Sequence, residues 1–433
     1  MSAEDDSTPS GITFWLAVLA TGLAVGAISV GFHAGLDYAL AARERFTAWA
    51  RPVGPAGFLL LVALCAAAVA TAVWMTARFA PQAAGSGIQH VEGLVRGLLP
   101  PWPAAICWVK FVGGILGIGG GLVLGREGPT VQMGAWLAER ISSRFGLTAD
   151  EQRTLLVVGA GAGLTGAFNA PLAGTLFVVE ELKCPLRPPI YVGTLVASIL
   201  TDFCCRRLLG IAPELMLPNR IPLAWGMLWP VLVVGVLGGV LGAFFNRALL
   251  ATFGVVDGLK RRVPSWTLGL AMGAVVGAVA WFVPALPGGG IGFAARLLDG
   301  TVSATAVAWL LPLSIVLTIG SYVLGAPGGI FAPLLVIGAA LGMGVGGIWS
   351  ATIADVPGLV PIAVAVGMAG LFAGVVRSPL TGAVLLLEMT GSAISVLPLL
   401  VASLAAYGVA EVLGSRPIYE SLLEREVARV RAS

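Results

Sequence analysis

Residues 300–354 contain no Asp, Glu, Lys or Arg, and neither do 7–36, 52–77, 154–179, 221–246, 263–295 and 389–410. A helix needs about 20 apolar residues to cross a bilayer, so several of these windows hold one crossing and the longest has room for two. The runs do not alternate apolar and polar residues, as the strands of a membrane β-barrel must over about ten positions. The chain therefore reads as an all-α polytopic membrane protein whose main partner is the lipid bilayer. Composition agrees. Of 433 residues, 58% are hydrophobic and 11% charged, against roughly 25% charged in a soluble domain. That excludes a disordered chain, a secreted disulfide scaffold and an ordinary cytosolic enzyme. The net charge of +3 comes with no basic stripe, which argues against nucleic acid as a partner.

The five cysteines, Cys65, Cys107, Cys184, Cys204 and Cys205, form no CxxC pair, and the two histidines are far apart. No metal site is expected from them. The N-terminal stretch MSAEDDSTPS is acidic and lacks the basic start of a signal peptide, so the first apolar segment, about 11–36, is expected to stay in the mature protein.

The apolar runs are unusually broken by Gly and Pro. In lipid every backbone polar group needs a partner, so such breaks are tolerated only where the chain is buried in protein or lines a cavity. The breaks also recur. The stretch from Gly125 to Pro129 (GREGP), followed by Gly134 and Ala135, has a counterpart 204 residues later in Gly329 to Pro333 (GIFAP), followed by Gly338 and Ala339. Gly166, Pro171, Leu172, Gly174 and Glu180 return at an offset of 208 as Gly374, Pro379, Leu380, Gly382 and Glu388. Two structural repeats, roughly 10–210 and 215–415, are expected, with interrupted helices in corresponding places as the pointer to a transport site. The alternating charges after Tyr419 predict a short solvated helix over 420–433.

Glu127, within GREGP, is the first candidate for chemistry, because a carboxylate at membrane depth is costly. The flanking Gly128 allows close backbone approach, and Pro129 suits the first turn of a helix. A helix N-terminus attracts anions, so a carboxylate there competes with a small anion for one place. The bland alternative is an Arg126–Glu127 pair on a surface loop. GIFAP carries no charge, and its chemistry rests on backbone N–H groups, chiefly those of Ile330 and Phe331. Ser86, between Gly85 and Gly87, reads first as a helix N-cap, and its hydroxyl also suits an anion. Of the adjacent Glu180 and Glu181, either both are solvated or one faces inward to relay protons. Glu388 is expected to have a structural polar partner. Lys110, alone in the otherwise uncharged stretch 97–125, is expected to pair with a carboxylate such as Glu92, because an unpaired buried charge is expensive. Two GxGxxG matches, from Gly161 to Gly166 and from Gly342 to Gly347, lie in membrane-like surroundings and read as small residues for close helix packing rather than a dinucleotide site.

Taken together these motifs closely resemble the CLC chloride channels and chloride/proton antiporters. The resemblance rests on GSGI at 85–88, the stretch from Lys110 through GREGP, GAFNAPLAGTLFVVEEL from Gly166, GGIFAP at 328–333, and RSPLTGAVLLLEMTG from Arg377 leading to Tyr419. It covers about residues 85–423. It implies two inverted repeats of tilted, partly broken helices, a homodimer with one anion pathway per subunit, and no cofactor, with chloride as the bound substrate. By the same resemblance Ser86 and Tyr419 hold the central anion with the amides of Ile330 and Phe331. Glu127 is the external gate and proton acceptor, and Glu181 the internal proton relay. Gly85, Gly87, Arg126, Gly128, Pro129, Lys110 and Glu92 support these residues.

Many channel members lack the carboxylate at the position of Glu181, so its presence favours a chloride/proton antiporter of the inner (plasma) membrane over a passive chloride channel. The chain keeps Ser86 and Tyr419, unlike the fluoride-exporting branch, and has Ser where the nitrate-accumulating branch has Pro. It departs from the family in having Gln89 where Pro usually follows GSGI. The C-terminal regulatory (CBS) domains of eukaryotic members are expected to be absent, so that the chain resembles the short prokaryotic form. A membrane enzyme is set aside because no nucleophile–base set or metal cluster is visible. A membrane scaffold would leave the repeated broken helices unexplained.

Overall fold

The computed structural model describes residues 11–210, 215, 225–299, 301–302, 304–354, 356–391 and 396–432. The acidic stretch 1–10, on which the signal-peptide argument turned, lies outside them. Among the described residues the chain is helical and contains no strand beyond two isolated bridges. Its helices are α1 (Ile12–Ala50), α2 (Pro55–Phe79), α3 (Ile88–Val95), α4 (Ile106–Gly119), α5 (Glu127–Arg144), α6 (Ala149–Phe168), α7 (Pro171–Glu180) and α8 (Pro188–Leu209). They continue with α9 (Leu228–Lys260), α10 (Ser265–Phe282), α11 (Ile291–Leu298), α12 (Ala304–Val323), α13 (Phe331–Thr352), α14 (Leu359–Val376), α15 (Pro379–Met389), α16 (Val396–Val412) and α17 (Ile418–Ala432). Eight of them are long and apolar enough to cross a membrane: α1, α2, α8, α9, α10, α12, α13 and α14. The protein is a multi-pass membrane protein. The last helix starts at Ile418, two residues before the expected boundary, and so carries Tyr419 in its first turn.

The order of elements runs twice. A long pair (α1–α2, then α9–α10) precedes an eight-residue helix (α3, then α11). Each short helix starts after a glycine in the left-handed region, Gly87 at φ 82 and Gly290 at φ 72, a conformation other residues adopt at a cost. Later α6 and α14 each end on a left-handed residue that is not glycine, Asn169 at φ 53 and Arg377 at φ 75. In both cases a proline two residues on opens the next helix, since proline suits a first turn but cannot continue the previous one.

Packing within the halves depends on absent side chains. A methyl group added at Gly134 would lie 2.3 Å from the Gly159 carbonyl oxygen, and one at Gly338 would lie 2.3 Å from that of Gly367. These are the α5–α6 and α13–α14 contacts, which bring backbones as close as small residues allow in membrane helix pairs.

The halves join through α7 and α15. Glu180, ending α7, accepts from the Leu380 and Thr381 amides at the start of α15 at 3.1 and 2.7 Å, and from the Thr381 hydroxyl at 2.8 Å. Glu388, near the end of α15, accepts from the Leu172 and Ala173 amides at the start of α7 at 3.0 and 2.8 Å. Each carboxylate satisfies amides that a helix start leaves without intrahelical partners and meets the positive end of the dipole. This reciprocity is that of a local two-fold relation. It supplies the polar partner expected for Glu388, and it shows that Glu180 has a capping role.

Candidate functional site: an anion and carboxylate crossing point

Three breaks in helix are stitched together at the centre of the molecule. The loop at Gly85 bonds to the loop before α13 through Gly85 N–H to Ala326 O at 3.1 Å and Gly328 N–H to Gly85 O at 3.0 Å. Gly125 and Gly329 exchange two bonds of 2.8 Å in antiparallel fashion. Lys110, fully buried, donates to the carbonyls of Ala83 at 2.9 Å and Gly85 at 2.7 Å. The expected Lys110–Glu92 pair is therefore not formed. Glu92 pairs instead with Arg96 at 2.9 Å, one helical turn away, while the ammonium finds its oxygen in carbonyls of the segment between α2 and α3. Lys110 still acts as a support, by clamping the GSGI loop.

Glu127 opens α5 with Arg126 at its N-cap, and Pro129 falls in the first turn, where a missing N–H costs nothing. Glu127 is fully buried, which excludes a surface Arg126–Glu127 pair, and Arg126 instead donates through Nε to Ala167 O at 2.9 Å. The Glu127 carboxylate reaches across to the other half, where Oε1 accepts from Phe331 N–H at 2.7 Å, at the first residue of α13. The glycines make room for it. A methyl at either Gly125 or Gly329 would sit 2.0 Å from a carboxylate oxygen of Glu127.

Ser86 and Tyr419 are fully buried beside this point. A methyl on Gly128 would lie 2.7 Å from the Ser86 Oγ, and the Tyr419 ring is 5.6 Å from that of Phe331. Ser86 Oγ, Tyr419 OH and Glu127 Oε2 are all buried with no hydrogen-bond partner of good geometry among the described residues. Buried polar groups are ordinarily satisfied, so their convergence marks a place for chemistry. Ser86 is not an N-cap. That position of α3 belongs to Gly87, and no side chain caps the helix. Ile330 is the N-cap of α13, directly before the bonded Phe331 amide.

Glu181 caps the C-terminal end of α7 and is buried, with Oε2 accepting from the Ser378 hydroxyl at 2.8 Å. Of the two adjacent carboxylates, then, Glu180 is spent on amides and Glu181 faces inward. The Phe177 ring, one turn before Glu181, packs edge-on against Phe331 at 6.3 Å, so one aromatic contact links the element carrying Glu181 to the residue whose amide holds Glu127.

Residues 66–411 match the family described as voltage gated chloride channel. The chain is a member of that family. It is 34% identical over 434 residues to the H(+)/Cl(-) exchange transporter ClcA of Vibrio vulnificus strain YJ016, covering 97% of this chain and 91% of the relative. It is 35% identical over 431 residues to the protein of the same name from Vibrio parahaemolyticus serotype O3:K6, covering 97% and 90%. Among solved structures it is similar to a slow cyanobacterial Cl-/H+ antiporter, with a TM-score of 0.91 and 32% identity over 96% of this chain and 99% of the other. This family fold is the arrangement of broken helices in two inverted halves that the motifs implied.

Two residues at the site were given no role by the motifs. Ser378 lies just before α15, where Ala170 stands at the 208 offset, and a polar residue replacing alanine in the repeat was its signal. Tyr322, buried at 2% exposure, accepts from Ser86 N–H at 3.3 Å. Its signal was a tyrosine inside the uncharged window 300–354.

Proposed function

We propose that this protein exchanges chloride for protons across the inner (plasma) membrane. The observation that carries the reading is the bond from Phe331 N–H to Glu127 Oε1, because a helix N-terminus suited to an anion is held there by a carboxylate that can take up a proton. Ionised Glu127 closes the outer path. A proton on the carboxyl removes the charge that the amide favours, the side chain leaves, and chloride enters. Ser86 and Tyr419 hydroxyls and the Ile330 and Phe331 amides then hold the anion. Glu181, set by Ser378, passes the proton on toward the inner face. Coupling follows because one place cannot hold carboxylate and chloride together. The named exchange transporters among the relatives support antiport over a passive channel. No cofactor is invoked, and the protein is a transporter rather than an enzyme.

In this reading residues 10–210 and 215–415 are the two halves of one transmembrane unit, and 420–433 lie at the cytoplasmic side. The unit works as a homodimer, each copy with its own pathway. Support comes from α7 and α15, of 10 and 11 residues. At about 15 Å they reach half the ~30 Å hydrocarbon core, yet Leu172 and Leu380 at their starts are exposed at 52% and 44%. Interrupted backbone facing lipid is unfavourable, and a second copy covers it.

The test uses purified protein in sealed vesicles, with a chloride gradient, the voltage held at the proton equilibrium potential, and internal pH followed. Uphill proton movement driven by chloride is expected. Chloride flux without proton movement would refute antiport in favour of a passive channel.

A further inference from the structure

Three helices that serve the site are tied by one polar chain. Glu426 stands seven residues after Tyr419 on α17, so the two side chains share a face of that helix, two turns or about 10 Å apart along its axis. Glu426 Oε1 meets His90 Nδ1, on the first turn of α3, at 2.5 Å. His90 is four residues after Ser86. Its ring stacks on that of Trp102, with centroids 5.6 Å apart and planes at 22°. Trp102 Nε1 in turn donates to Glu139 on α5, the helix that Glu127 opens. The chain therefore runs from the helix of Tyr419, through the helix that follows Ser86, to the helix of Glu127.

The bond at its centre is the buried one. His90 is exposed at 2% and Glu426 at 23%, whereas the Lys183–Glu420 pair of the same helix is exposed at 43% and 36%. Exposed pairs contribute little, and a desolvated charge-assisted bond contributes more. Arg425 and Arg429 tie α17 to Asp257 of α9, a helix that carries none of the site residues. By packing, α17 rests on α3, with a smaller contact to α14. That packing is close, since a methyl at Gly93 of α3 would lie 2.9 Å from the Leu423 side chain. The second nitrogen of His90, Nε2, is buried with no partner among the described residues, which leaves the stack and Glu426 to hold the ring. Ser86 stands just before α3 and Tyr419 in the first turn of α17, so the distance between these helices sets the distance between their hydroxyls. A site assembled in only a fraction of molecules binds with its affinity reduced by that fraction.

We infer that His90 and Glu426 are positioning residues for chloride, their bond holding α17 on α3 at the separation where the Ser86 and Tyr419 hydroxyls close on one ion. The inference rests on the reading of those hydroxyls as anion ligands. Its test measures chloride affinity by calorimetry, and the chloride KM and turnover of exchange in vesicles. The variants are His90→Phe, which keeps a ring on Trp102, Glu426→Ala, the two combined, Glu426→Gln and Tyr419→Phe. His90→Phe and Glu426→Ala are each expected to weaken chloride binding about tenfold, the worth of one charge-assisted hydrogen bond. KM should rise to match, with turnover at saturating chloride unchanged. The combined variant should be no worse than either alone, as for two ends of one interaction. Glu426→Gln, whose amide oxygen still accepts from Nδ1–H, should recover most of the loss. Turnover lowered with KM unchanged overturns the inference, for that is what a merely structural loss of folded protein gives. Additive losses overturn it too, because the residues would then act separately. Unchanged affinity in both single variants with a loss in Tyr419→Phe overturns the positioning and leaves the ligand reading standing. Unchanged affinity in Tyr419→Phe overturns the ligand reading, and the positioning with it.

Discussion

Two of the places where the halves of this protein meet use the same device with opposite outcomes. At the α7–α15 joint the exchange is symmetric, with Glu180 capping α15 and Glu388 capping α7. At the α5–α13 joint the backbone is equally symmetric, with Gly125 and Gly329 trading bonds of 2.8 Å, but the side chains are not. Glu127 opens α5, and its counterpart 204 residues on is Phe331. One half supplies a carboxylate and the other a bare amide that receives it. Glu181 follows the same rule, for its counterpart at the 208 offset is Met389. Where both halves keep the carboxylate, it holds the fold together. Where one half has lost it, a buried titratable group faces a partner it can leave.

The comparison can be broken most severely at Glu127. Glu127→Ala is expected to abolish chloride-driven proton movement in vesicles while chloride flux persists and loses its pH dependence. Uphill proton transport surviving the change would contradict the gate. Next comes Glu181→Met, which gives the first half the residue of the second. Proton flux should fall roughly 10²-fold or more, as for loss of a positioned proton-transfer group, and chloride flux should continue. Retained coupling would move the inner relay to another residue. The smallest effects belong to the symmetric joint. Glu180→Ala and Glu388→Ala should each lower stability by ~1–3 kcal/mol, read by thermal unfolding in detergent, with Glu180 the costlier because it also holds the Thr381 hydroxyl. The proton-to-chloride ratio should stay unchanged, and a shift in it would show that this joint carries more than structure.

Much of this was legible along the chain because glycine and proline are backbone requirements that sequence displays directly. The 204 and 208 offsets follow Gly134 and Gly338, where no side chain fits, and Pro171 and Pro379, which open helices. The correspondence of α3 with α11 was not visible, since it consists of a glycine and a run of apolar residues. At the site the motif residues Ser86, Glu127, Phe331 and Tyr419 were legible, whereas Tyr322 and Ser378 were not. Their partners lie 236 and 197 residues away, and a single hydroxyl in an apolar run carries no local pattern. The partner of Lys110 was misread because a sequence shows carboxylates but not which backbone carbonyls the fold turns toward an ammonium.

By itself, then, the sequence determined the membrane class, the breaks in the helices, the doubled plan and the short set of polar residues too costly to bury without use. Those follow from solvation and from backbone limits, which act on each residue locally. The tertiary structure decided which of the adjacent carboxylates, Glu180 or Glu181, caps a helix and which is buried against Ser378. It also decided that the Glu127 carboxylate lies on an amide of the opposite half. Consecutive residues at a helix end point in different directions, and only the packed partner determines whether a carboxylate there meets amides or a buried hydroxyl.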